Sequence, residues 1–115
     1  FCEKLGTLLD LKDEKPALLH GDLWSGNYFA SHDQIPYIFD PAVYFGLRET
    51  DLAMTEMFGR LPQEFYSTYQ EVFPTQPGYS ERKDIYNLYH LLNHYNLFGG
   101  SYLEQADQTV RSFLD

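Results

Sequence analysis

Residues 17–39 are cut by polar and glycine residues into apolar runs too short for a helix. The short run 17–20 leads into His-Gly-Asp-Leu-Trp-Ser-Gly-Asn at 20–27. Two further runs, 28–30 and 35–39, flank Ser31-His32-Asp33-Gln34, a set of residues that favours a turn. A β-hairpin is the expected outcome, with Asp40 closing its second strand. Only helices long enough to build a core could then stabilise so short a ribbon.

The rest of the chain supplies them. Phe1, Leu5, Leu8 and Leu9 stand at helical spacing within residues 1–11, the end of an amphipathic helix that starts without a capping residue, as if inside a longer protein. Residues 40–49, with Pro41 and Gly46, read as an irregular connection. Thr50 is the expected cap of a helix over about 51–59. Pro62 suits the first turn of the next, whose aromatic face would be Phe65, Tyr66, Tyr69, Val72 and Phe73. Residues 74–78 form a loop, and Ser80 is the expected cap of a long helix through about Phe98, stopped by Gly99-Gly100. A final helix covers 101–114. The fold class is α+β, mostly α, without repeats or an internal linker.

Composition narrows the functions. A formal charge of −9, from 17 acids and 8 bases, leaves only Arg82-Lys83 as a basic pair, so nucleic acid is not an expected partner. An anionic substrate would need a metal ion or positive charge brought from elsewhere. No apolar run approaches the roughly 20 residues of a membrane span, and the acid-containing start is unlike a signal peptide. The expectation is a cytoplasmic protein with no membrane partner. Cys2 is the only cysteine, which excludes an internal disulfide and a cysteine-based zinc site.

Asp22, Asn27 and Asp40 are the residues with chemistry to offer. Two carboxylates and an amide oxygen suit magnesium, and phosphoryl transfer needs a carboxylate to orient the attacking hydroxyl. The hairpin would return Asp40 beside the loop. Asp and Asn also serve ordinary turns by bonding their own backbone; the ordered set of three argues for chemistry over that reading. His90 and His94 share a helical face at a spacing zinc could use, but Leu91 replaces the glutamate of His-Glu-x-x-His, which favours a packed or hydrogen-bonded pair. Tyr86, Tyr89, Tyr95 and Tyr102 read as core and interface aromatics.

HGDLWSGN resembles the H-G-D-x-x-x-x-N catalytic loop of aminoglycoside-phosphotransferase-like kinases, and IFDP resembles their metal-binding strand end. The longer text LLHGDLWSGNYF, DPAVYFGLRETDLAMTEMFG and YHLLNHYNLFGGSYL resembles the fructosamine kinase (ketosamine 3-kinase) family over nearly all the chain after residue 17. The resemblance implies an ATP- and Mg2+-dependent kinase acting on a sugar hydroxyl of a ketosamine, small or attached to a protein lysine, and so a role in protein deglycation. Asp22 would be the catalytic aspartate, and Asn27 and Asp40 would hold Mg2+ against the nucleotide phosphates. His20 would support the loop, Asp51 would steady it from a neighbouring helix, and Trp24 would form a wall for the sugar, although a packing role suits Trp24 equally.

No Gly-rich phosphate loop or strand lysine is present. The resemblance therefore implies that residues 1–115 are part of a kinase-like C-terminal lobe, without the N-terminal nucleotide-binding lobe, and nearly inactive alone. Alternatives are a kinase of another small metabolite, such as an aminoglycoside or choline, and a non-catalytic kinase-like binding module. Oligomeric state is not legible.

Overall fold

The computed structural model describes residues 1–114: five α-helices, four three-residue strands and one 3-10 turn. Helix α1 (Cys2–Leu8) ends at Leu9, and the chain turns through Asp13 in the left-handed region before Pro16. Strand β1 (Ala17–Leu19) pairs antiparallel with β4 (Tyr44–Gly46), setting Leu19 opposite Tyr44. Strands β2 (Tyr28–Ala30) and β3 (Pro36–Ile38) form the hairpin, with Phe29 stacked on Tyr37 at 5.2 Å. Each sheet has two strands, so every strand is an edge and Pro36 forfeits no interior ladder bond.

The strands carry little of the core. Helix α2 (Glu49–Thr55) buries Leu52, Ala53, Met54 and Thr55, and lies at the centre. Helix α3 (Gln63–Val72) touches it through Tyr66, whose hydroxyl meets Thr55 Oγ1 at 2.9 Å. Helix α4 (Tyr79–Phe98) buries Arg82, Ile85, Leu88 and Leu91, one stripe at three-residue spacing. Helix α5 (Tyr102–Ser112) sets Ala106 against Leu88 and Leu91, and Phe1, Met57, Tyr102 and Val110 close that cluster.

Two buried ion pairs rivet these elements. Arg82 makes a bidentate pair with Glu49, at 2.8 Å for both bonds, and donates to the carbonyls of Gln76 and Pro77. Arg48 donates to Glu14 at 2.7 Å, to Tyr69 and to the carbonyls of Phe73 and Pro74, with its guanidinium 3.6 Å from the Phe73 ring centroid. The expected Arg82-Lys83 basic pair is thus half consumed inside the fold.

Several local expectations are corrected. Residues 40–49 contain β4, because the partner strand lies far away in sequence. Thr50 is not a cap: α2 begins at Glu49, its cap position is Arg48, and Thr50 lies inside the first turn. Ser80 lies in the first turn of α4, whose cap is Gly78 at φ 88°. Of the expected aromatic face of α3 only Tyr66 is buried; Phe65, Val72 and Phe73 are exposed. Tyr89, expected as a core or interface aromatic, is 69% exposed and so lies outside the core. Among the described residues no helix is long and apolar enough to cross a membrane.

Candidate active site

The loop leaving β1 is pinned where it starts. Asp51, in the first turn of α2, accepts the His20 N–H at 2.8 Å and the Gly21 N–H at 3.0 Å, one on each carboxylate oxygen. Hydrogen bonds to an ionised acceptor are among the stronger ones. Gly21 has φ 84°, and a Cβ there would stand 2.0 Å from the Ala42 carbonyl oxygen. Only glycine allows that approach. Ala42 N–H in turn donates to the His20 carbonyl at 2.8 Å.

His20 links the two halves of the centre. Its Nδ1 accepts the Asp22 N–H at 3.2 Å and its Nε2 lies 2.9 Å from the Phe39 carbonyl. A carbonyl only accepts, so the tautomer with the proton on Nε2 satisfies both bonds. Phe39 N–H donates to the Asn27 carbonyl at 3.1 Å. Asp40 therefore lies one residue beyond a double anchor and two residues before a third.

Asp22 and Asn27 meet directly. The Asn27 Nδ2 donates to the Asp22 carbonyl at 2.8 Å and to its Oδ2 at 3.0 Å. Asn27 is buried, and its Oδ1 has no hydrogen-bond partner among the described residues. Asp40 is exposed and left-handed at φ 54°, unusual for a residue bearing a side chain. Asp13 and Gln34 share that conformation, but both sit in turns. Strain outside a tight turn is a pointer to function. No hydrogen bond among the described residues joins the Asp40 carboxylate to Asp22 or Asn27; the backbone alone brings residue 40 to the loop.

Asp22 opens into a cleft of 220 Å³ that it shares with Trp24, Met54, Phe58, His94 and Tyr102. Trp24 is 39% exposed, lies over Gly26, where a Cβ would come within 2.3 Å of the indole, and meets Phe58 edge-on at 6.4 Å. His94 Nδ1 donates to the His90 carbonyl at 2.7 Å, and its ring lies against Phe58, Phe98 and Tyr102. Burial pushes the His90 imidazole below its ordinary range, helped by His94 and opposed by Asp22. A more apolar cleft of 370 Å³ on the hairpin, lined by Phe29, Tyr37, Ile38 and Phe65, has no carboxylate or imidazole among the described residues.

The sequence reading put Asp22, Asn27 and Asp40 in one centre. The structure bonds Asp22 to Asn27 and brings residue 40 near only through the backbone bonds of Phe39 and Ala42. The reading missed His94, Met54, Phe58 and Tyr102 as neighbours of Asp22. The only local signal was the shared face of His90 and His94, and it could not say which cleft that face lines.

The fructosamine kinase family matches residues 1–115. A protein of Vibrio parahaemolyticus named "Probable ketoamine kinase" is 54% identical over 114 residues, which is 99% of this chain and 39% of that protein. A rice protein, "Protein-ribulosamine 3-kinase, chloroplastic", is 50% identical over 114 residues, covering 99% of this chain and 33% of its own length. The crystal structure of a fructosamine-3-kinase candidate from Haemophilus somnus superposes with a TM-score of 0.84 at 35% identity, over 98% of this chain and 39% of the other. The chain thus spans about two fifths or less of the length of these relatives. Those neighbours give its α+β arrangement a protein-kinase-like setting. On the match along its whole length, and on relatives at about half identity, the chain belongs to the fructosamine kinase family.

Proposed function

We propose that the full-length protein is an ATP-dependent kinase that phosphorylates the 3-hydroxyl of a ketosamine, either a small molecule or a sugar on a protein lysine, and so acts in deglycation. A cytoplasmic setting is part of that reading. Residues 1–115 would belong to its C-terminal lobe, with the nucleotide-covering lobe elsewhere in the full chain. The observation that carries the proposal is the Asp22–Asn27 contact inside a loop pinned by Asp51. An ordinary Asx turn has no use for a second carboxylate holding two successive backbone amides from another helix.

Asp22 has one carboxylate oxygen bonded to Asn27 and the other without a partner among the described residues. That second oxygen would accept the hydroxyl hydrogen bond of the acceptor and receive its proton as the new O–P bond forms and the bond to ADP breaks. The unpartnered Asn27 Oδ1 and the unpaired Asp40 carboxylate are hard oxygens, the donor type magnesium prefers, so the residues fit Mg2+. Bound there, Mg2+ would offset charge on the nucleotide phosphates. Trp24 and His94 would wall the sugar on the Asp22 side.

The test is phosphorylation of fructoselysine by the full-length protein and by Asp22→Asn. The expected loss is about 10²–10⁴-fold in kcat, with the melting temperature nearly unchanged. An unaltered rate would sink the assignment of Asp22. The isolated 115-residue chain is expected to show almost no turnover in the same assay.

A further inference from the structure

One helical turn along α4 from His94, a second cleft of 580 Å³ opens against the same loop. Its walls are Tyr44, Tyr86, Tyr89 and His90, and its floor includes Gly21 and Ala42, where two backbones run in contact beside Asp22. The walls are held before any ligand arrives. Tyr86 donates its hydroxyl to Glu49 at 2.9 Å, Tyr44 is held in β4 opposite Leu19, and Gly21 is fixed by Asp51.

The electrostatics select the sign of an occupant. Among the described residues no lysine or arginine lines the cleft. Asp51 takes the Gly21 N–H at the floor at 3.0 Å and Asp22 follows Gly21 in the chain, so two carboxylates stand beside the cleft. Aromatic faces attract an ammonium through their quadrupole, and a compact alkyl stem packs against the same rings.

A ketosamine divides chemically in the same way. Its hydroxyls lie on one side of the reacting carbon; on the other, two carbons away, is a secondary amine that is protonated at neutral pH and carries an alkyl substituent. With the reacting hydroxyl at Asp22, the amine falls toward Gly21 and the tyrosines if the remaining hydroxyls face Trp24 and His94. We infer that the tyrosine-lined cleft is the subsite for the alkylammonium arm of the acceptor, and that Tyr44 and Tyr89 set the preference for amine-linked sugars. This rests on the kinase reading above and adds a place for the half of the acceptor that is not phosphorylated. Tyr89 is largely exposed on α4, with its ring edge-on to His90 at 5.3 Å.

The experiment uses the full-length protein and two acceptors: the n-butylamine adduct of fructose, and 1-deoxyfructose, which has the hydroxyls and no amine. In Tyr44→Ala and Tyr89→Ala, KM for the adduct should rise about tenfold with kcat little changed, while KM for 1-deoxyfructose stays put. Tyr89→Phe, which keeps the ring, should restore the native KM. Free n-butylammonium should compete with the adduct in the native protein and lose potency in Tyr89→Ala. Equal changes for both acceptors, or none for either, would overturn the subsite while leaving the kinase reading intact. If the native protein phosphorylates neither acceptor, that reading itself fails, and the subsite falls with it.

Discussion

The strand-and-loop region over residues 17–46 and the helical region after it are held in opposite ways. In the first, large apolar side chains face outward: Leu18 and Ile38 are each 64% exposed and Phe45 is 74% exposed. Its geometry comes from backbone amides aimed at single acceptors, chiefly Asp51, His20 and Asn27. In the second, a stripe on α4 and one face of α5 exclude water around Leu88, Leu91 and Ala106. Burial is non-directional and supplies bulk stability, whereas hydrogen bonds to a fixed carboxylate supply direction. A loop that must aim a carboxylate is better served by the latter, and it borrows its rigidity from α2.

That division can be broken at its joint. Glu49 lies on α2, two residues before Asp51, and its partners Arg82 and Tyr86 are on α4. Glu49→Ala leaves a buried guanidinium unpaired, and stability of the full-length protein is expected to fall by about 3–5 kcal/mol in chemical denaturation. A loss near zero would mean that the helical region does not depend on the pair.

Asp51→Asn should act more locally. The amide keeps one acceptor oxygen and turns an NH2 toward the other backbone N–H, costing about 1–3 kcal/mol. Amide hydrogen exchange should quicken at residues 20–22 and stay unchanged at Leu88 and Leu91, and turnover should fall by more than the stability loss explains. Uniform acceleration across the chain would erase the distinction between the two regions.

The smallest effect is with pH. Burial lowers the folded-state pKa of His90 below its unfolded value, so the unfolded chain binds the proton more tightly. The stability this histidine contributes is present above the ordinary imidazole range and is lost as pH falls through its lowered pKa. His90→Asn should therefore flatten the decline of melting temperature as pH falls below about 6.5. A steeper decline in the variant would reverse the sign.

Much of the site was readable because its parts are close in sequence. Asp22 and Asn27 share one loop, and the hairpin that returns Asp40 has a turn marked by Ser31 and Asp33. Helix ends followed where glycine decided them, as at Gly99, whose left-handed φ of 67° stops α4. Where the deciding partner was remote, local signals misled. Thr50 has the chemistry of a cap, but α2 starts one residue earlier, with Arg48 at the cap position and buried against Glu14 and Tyr69. Strand β4 has no pattern of its own and exists because β1 lies alongside it.

By itself, the sequence determined which side chains offer carboxylate and amide oxygens in one loop and its hairpin, and that short strands would precede long helices. Those are properties of residue type and local spacing. Tertiary structure alone decided that Glu14 and Glu49 would neutralise Arg48 and Arg82, and that His94 and Tyr102 would face Asp22. Such pairings join residues more than thirty positions apart in the chain, and they form only once helix packing has closed the distance.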